Sequence, residues 1–475
     1  MKNLMIRIIL MNLIILPALI HSQPIGISNP DKFESIVNEA YEKEVFSGNV
    51  LIVQDGKTAF EFSIGNADYE NSILNSASTK FETGSITKFF VKTLVHQLAE
   101  ENKINLSDNL GKYLTGFSPE ISENVTLRQL ADHSSGLGDF FRDSKNPEYL
   151  NNVKSIDDVL NAVKNEQLQF APGSKVQYSN SGYVVLAAVI EKVCGKSLEV
   201  VLKEKIFDKT GMKSTGFSVN VIDIESKAKG YLSNQLGPKQ DNSDMNLIGA
   251  GAGGIYSTTG DMNRFAQSLI NDNILLSDES KVSLFNSPLF PVQYKDWNEF
   301  SSMGRFAIAG GAPGISAVFG INMEKKYVMV VLSNFDEGTA EEVSQRLSAA
   351  LNNREVKPFS LPPAQLIYNI IKNKGSENFT LNYKEELSAA GIDKENDMLL
   401  LFAGREFLRE NDADNAIALY SVYTKEFPGI VVAWNDLGDA YLLKNEKDKA
   451  KQCYEQALKI RPENKRAKES ILKLG

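Results

Sequence analysis

Phe81-Glu82-Thr83-Gly84-Ser85-Ile86-Thr87-Lys88-Phe89-Phe90 sets a serine and a lysine three residues apart at the start of an apolar helical pattern. Ile86, Phe89, Phe90, Leu94 and Leu98 recur at helical spacing, so residues 85 to 100 read as a helix with Ser85 and Lys88 facing the same way, one turn apart. Gly84 marks its entrance. A serine hydroxyl is a poor nucleophile until a neighbour takes its proton, and a desolvated lysine does so if its pKa falls from about 10.4 towards neutrality. Burial against Phe89 and Phe90 and the positive end of the helix dipole both push that way, and the dipole also favours an anionic oxygen at Ser85. The same spacing occurs at Ser226/Lys229 and Ser470/Lys473, so the surroundings decide which pair is chemical.

The chain opens with Lys2 and Arg7, followed by an almost wholly apolar run from Ile8 to Ile20 and then His21-Ser22-Gln23. This reads as a secretory signal peptide over residues 1–22, because a spanning helix needs about 20 apolar residues. Its removal takes away two of the 51 basic residues and none of the 60 acidic ones, leaving a net charge of −11. Neither a nucleic-acid partner nor stable membrane insertion after cleavage is therefore expected. Cys194 and Cys453 lie far apart in helical patterns and read as buried small apolar residues. The three histidines, His21, His96 and His133, form no cluster with zinc-ligand spacing, so neither a metal nor a cofactor is expected.

Downstream of a helix at 31 to 45, Gly48–Val53 and Thr58–Ser63 flank Gln54-Asp55-Gly56-Lys57, an apolar hairpin with an Asp-Gly turn. A matching pair, Ile315–Ile321 and Tyr327–Leu332, lies far downstream and is closed by a helix at 339 to 352. About 240 mainly helical residues separate the two pairs. The expected fold is an antiparallel sheet assembled from both ends of the domain, with a helical subdomain inserted between them.

Within that insertion come Thr126-Leu127-Arg128-Gln129-Leu130-Ala131-Asp132-His133-Ser134-Ser135-Gly136-Leu137 and then Phe170-Ala171-Pro172-Gly173-Ser174-Lys175-Val176-Gln177-Tyr178-Ser179-Asn180-Ser181-Gly182-Tyr183. With Ser85-x-x-Lys88, these segments resemble the serine β-lactamase and penicillin-binding-protein family, on the branch of class C β-lactamases, D-alanyl-D-alanine carboxypeptidases and related esterases. Further matches run through Ile206–Met212 and Gly251–Thr258, so the resemblance covers about residues 30 to 352. It implies that Ser85 is acylated, that Lys88 and Tyr178 share its proton, and that Asn180 holds the substrate's amide side chain. Either Lys88 is the neutral base and Tyr178 relays, or the Lys88 charge stabilises a Tyr178 phenolate base. His133 has no role as a base in the family and reads as structural. Ser257–Asp261 reads as a helix cap before Met262–Ile270.

The family's third motif, Lys-Thr-Gly or His-x-Gly on the strand beside the serine, falls on Ile308-Ala309-Gly310, followed by Gly311-Ala312-Pro313-Gly314. The cation or imidazole is replaced by Ile308. Gly310 and Gly311 are retained, which leaves the strand backbone free to approach a ligand and lets the N–H groups of Ser85 and about Gly311 form an oxyanion hole. Arg305 has an odd offset from Ile308 and so points to the opposite face of the strand.

Beyond 352, Lys357-Pro358-Phe359-Ser360-Leu361-Pro362-Pro363 reads as a linker. At an offset of 34 the tail matches itself at Leu400/Trp434, Ala403/Leu437, Gly404/Gly438, Phe407/Tyr441, Ala416/Ala450, Tyr420/Tyr454 and Pro428/Pro462, which are tetratricopeptide positions. Two repeats do not make a stable stack alone, so they must lean on helices at 363 to 390, on 465 to 474, or on the rest of the chain.

The resulting expectation is an α/β (α+β) chain: a signal peptide at 1–22, a β-lactamase-like serine hydrolase at 25–356, a linker and helical half-repeat at 357–396, and two tetratricopeptide repeats at 397–475. It is secreted or periplasmic, acts on a small-molecule or peptide ester or amide through acylated Ser85, and offers a protein partner its repeats. The rivals are a penicillin-binding-like protein with little turnover and an envelope assembly factor acting through the repeats.

Overall fold

The computed structural model describes residues 30–140, 156–217, 224–233, 236, 237, 239, 241, 249–392 and 398–474. The segment read as a signal peptide lies outside the described residues. The described residues form two compact units, one within 30–231 and 241–359, the other within 232–239 and 360–474.

The first unit is built on a five-stranded antiparallel sheet in the order Lys57–Ile64, Gly48–Gln54, Tyr327–Ser333, Ile315–Asn322, Arg305–Ala312. Gly48–Gln54 is buried almost throughout because it lies between two neighbours, whereas the edge strand Lys57–Ile64 buries only Phe60 fully and exposes Lys57, Thr58 and Glu61. Asp55 and Gly56 both take positive φ, 48° and 73°, the backbone a two-residue hairpin turn requires. The two chain ends then meet: Gly48 pairs with Ser333 and Gln54 with Tyr327.

Each face of the sheet carries a core. On one, helices Pro30–Glu42 and Thr339–Leu351 pack Phe33, Val37, Val343 and Leu347 against Val50, Ile52, Val318 and Val331. On the other lies the helix Thr87–Glu100, whose residues Thr87 to Leu98 are all buried, so it is surrounded by protein rather than amphipathic. Phe89 fastens it to the sheet, its ring centroid 4.7 Å from that of Phe306 and 6.1 Å from that of Phe319. Of the polar side chains it carries inward, Lys92 Nζ reaches Asp132 Oδ1 at 3.3 Å and Asn286 O at 3.1 Å, and Gln97 Nε2 donates to Leu275 O at 3.1 Å. His96 is held neutral, its pKa lowered to about 3 by burial and by the charges of Lys92 and Arg128.

The insertion is not purely helical. Phe81–Glu82, Ile255–Ser257 and Gly216–Phe217 make a small antiparallel sheet that anchors the chain just before Ser85. Thr258 caps the helix Thr259–Ile270 by accepting from the Asp261 N–H. Among the described residues, no helix is long and apolar enough to cross a membrane. Cys453 is buried and Cys194 half-buried, and both are free thiols.

In the second unit, Met398–Arg409 and Ala413–Glu426 form one helical pair, and Val431–Leu443 and Lys447–Ile460 form the next. The offset of 34 has a direct cause in packing. A methyl group on Gly404 would sit 2.5 Å from Tyr420 Cζ, and one on Gly438 would sit 2.6 Å from Tyr454 Cε1, so each tyrosine ring lies on a glycine of its partner helix. The stack is extended at both ends. Pro363–Lys374 and Ser376–Leu381 bury Ile367, Ile371 and Phe379 in the core of the first pair, and Lys465–Leu474 buries Ala467 against the second. One sequence assignment changes: Phe359, read as linker, is buried in the first unit. Its N–H donates to Glu39 Oε1 at 3.1 Å and its ring lies 3.9 Å beneath the Arg346 guanidinium.

Candidate active site

Ser85 is presented by a short 3-10 turn, Gly84–Ile86, rather than by the first turn of the α-helix, which begins at Thr87. The reason is the close approach of the strand Arg305–Ala312. Gly84 takes φ +52°, and a Cβ there would lie 2.7 Å from Gly311 N; a Cβ on Gly310 would lie 2.1 Å from Thr83 O and 2.7 Å from Ser85 N. Gly310 and Gly311, facing Ala317 and Ser316 across the strand pair, thus bring their backbone against the turn that carries the Ser85 N–H.

Three of the sequence-selected residues converge on one oxygen. Lys88 Nζ lies 3.1 Å from Ser85 Oγ. The Tyr178 hydroxyl, 93 residues along the chain, donates to the same Oγ at 2.8 Å. Lys88 Nζ also donates to Ala252 O at 2.6 Å and lies 4.9 Å from the Tyr178 ring centroid. Burial lowers the pKa of Lys88 to about 7, with the Asp139 carboxylate pulling the other way. At that value a substantial fraction of Lys88 is neutral near pH 7, the form able to accept a proton from a neighbouring hydroxyl.

Asn180 stands at the first turn of the helix Asn180–Cys194, which is capped by Ser179. Its Nδ2 donates to Asp139 Oδ1 at 3.0 Å, so the amide expected to hold a substrate is tied to a carboxylate that the sequence reading passed over. Glu166 stands behind this loop, accepting from the Gly138 N–H at 2.9 Å and the Ser181 hydroxyl at 2.5 Å. Ile308 packs against the larger core. Arg305 is engaged by Glu324, with Nε 3.1 Å from Oε2, and does not stand in for the missing cation. Among the described residues, no group of three or more His, Cys, Asp or Glu side chains is placed to hold a metal ion. Two contributors escaped the sequence reading for different reasons. Ala252 acts through a main-chain carbonyl, which has no residue-type signature. Asp139 is recognisable only once Asn180 is seen against it.

The Beta-lactamase family profile matches residues 33–353, more than half of the 475-residue chain. The chain belongs to the β-lactamase family. It is a serine hydrolase related to penicillin-binding proteins, and a tetratricopeptide repeat profile matches residues 431–464 of its helical tail. Among its relatives is a teichoic acid D-alanine hydrolase of Staphylococcus aureus, 29% identical over 309 residues that span 65% of this chain and 75% of that protein. Two crystal structures share the fold. FmtA from Staphylococcus aureus is 26% identical with a TM-score of 0.57, over 72% of this chain and 91% of the other. D-amino acid amidase from Ochrobactrum anthropi SV3 is 21% identical with a TM-score of 0.58, over 68% and 98%. The likeness to the amidase shows the fold alone.

Proposed function

We propose that the chain is exported and hydrolyses esters or amides that lack a free carboxylate, D-alanyl esters foremost, through an acyl-enzyme on Ser85. The observation that carries this reading is the position of Ser85 Oγ, 3.1 Å from Lys88 Nζ and 2.8 Å from the Tyr178 hydroxyl. Lys88, neutral for a large fraction of molecules at pH 7, takes the Ser85 proton directly or through Tyr178 while Oγ attacks the carbonyl carbon. The N–H groups of Ser85 and Gly311 receive the oxyanion. The proton passes to the leaving alcohol or amine, and a water deprotonated by the same pair then releases the acid. A substrate carboxylate is disfavoured because Ile308 occupies the position where related enzymes place a cation. The S. aureus relative named for D-alanine supports an acyl group that is small and bears an ammonium instead of a carboxylate. Lys2, Arg7 and the apolar run Ile8–Ile20 support export, and the repeats support a protein partner held outside the catalytic unit.

The test is labelling with a fluorophosphonate, followed by mapping of the modified peptide. The adduct is expected on Ser85 and absent from Ser85→Ala; labelling that survives this substitution overturns the assignment.

A further inference from the structure

Tyr178 lies two residues before the helix Asn180–Cys194, and both residues beside it, Gln177 and Ser179, are tied to His133. We propose that His133 is the positioning residue for Tyr178. The proposal rests on the reading of Ser85 and Tyr178 given above.

His133 grips both neighbours of Tyr178 and its ring. Its carbonyl accepts the Gln177 N–H at 2.8 Å, and its Nδ1 accepts the Ser179 N–H at 3.1 Å. The imidazole is stacked on the phenol, with centroids 4.8 Å apart and planes 18° from parallel. The imidazole also meets the ring of Tyr183, centroids 5.0 Å apart, whose hydroxyl donates to Ala131 O at 2.9 Å. The residue is buried and sits at φ +57°, so the loop has bent into the left-handed region to bring it there.

The hydrogen bond from Ser179 fixes the tautomer: Nδ1 carries no proton, and Nε2 carries the only one. A second proton on Nδ1 would break that bond. Burial, with the charges of Lys88 and Lys92, keeps the imidazole in this neutral form. His133 is thus a flat, uncharged wall beside Lys88 that orients Tyr178 without competing for the serine proton.

Two substitutions separate its contacts. His133→Asn keeps an acceptor for Ser179 and tolerates the left-handed backbone but loses the stack; His133→Phe keeps the stack and leaves the Ser179 N–H unpaired. Since misplacing a reacting group by about 1 Å costs of order 100-fold, each is expected to slow fluorophosphonate labelling of Ser85 by about 10- to 100-fold. With an ester substrate, kcat should fall and KM should stay within about threefold. The deciding measurement is the same substitution made in Tyr178→Phe, where it should cost less than about threefold because the group it positions is gone. A purely structural histidine would cost as much in that background as in the native one, and that outcome, or an undiminished rate in both single variants, overturns the proposal. If His133→Asn fails to fold by thermal melt, the His133→Phe cycle carries the test. Failure of the native protein to label at Ser85 would instead overturn the underlying hydrolase reading.

Discussion

Replacing Lys88 by methionine should stabilise the hydrolase unit, and the gain should shrink as pH rises. The ammonium has an ordinary pKa of 10.5, lowered to about 7 in the folded protein, chiefly by burial. At about 1.36 kcal/mol per unit, the folded state forgoes nearly 5 kcal/mol well below pH 7, when the unfolded chain holds a proton that the native site resists. Between pH 7 and 10.5 the unfolded chain remains protonated while the native lysine is not, so native stability climbs with pH and the penalty falls to about 2 kcal/mol at pH 9. The variant also loses the hydrogen bonds to Ala252 O and Ser85 Oγ, a cost of about 1–3 kcal/mol that does not vary over this range. The informative quantity is therefore the difference between pH 6 and pH 9, expected at about 2–3 kcal/mol. Urea denaturation followed by tryptophan fluorescence measures it, with Trp434→Phe in both proteins so that Trp297 alone reports. A stability gap that is the same at pH 6 and pH 9 would show that the site does not hold Lys88 neutral, and the lysine-base mechanism would fall with it.

Lys88→Ala and Tyr178→Phe should each lower kcat/KM by roughly 100-fold, and together by much less than the product, because both act on one proton; multiplicative losses in ester-hydrolysis kinetics would separate their roles. For matched substrates, the form with a methylated carboxylate should be turned over in preference to the free acid. A charge-assisted hydrogen bond at position 308 would be worth roughly 1.5–3 kcal/mol, about 10- to 150-fold in selectivity, and this chain lacks it; a higher kcat/KM on the free acid would reveal another cation in the site. A chain of residues 25–362 should keep most of the esterase activity, whereas 25–356 should melt lower by the equivalent of about 3 kcal/mol, because the second lacks the buried Phe359; equal melting temperatures would mean that Phe359 contributes nothing to the unit.

What the sequence could determine by itself was whatever repeats or lies within a turn or two. Gly404/Gly438 and Tyr420/Tyr454 recur at 34 because Gly404 meets Tyr420, and Gly438 meets Tyr454, inside one helical hairpin each, and Ser85 and Lys88 are neighbours because they lie one helical turn apart. The hairpin at Asp55-Gly56 is local in the same sense, its turn set by two positive φ angles. Tyr178 and the strand of Gly310 could be found only through resemblance, since nothing local ties them to Ser85. The tertiary structure alone decided the rest. It tightened the serine turn to 3-10 where two glycines let a strand press in, gave Lys88 a main-chain acceptor at Ala252, turned Asn180 towards Asp139, and set His133 behind Tyr178. It also moved Phe359 from linker to core, where Glu39 and Arg346 hold it. Each of these depends on two distant segments meeting, and on carbonyls, ring faces and backbone clearances that no pattern of residue types along a chain records.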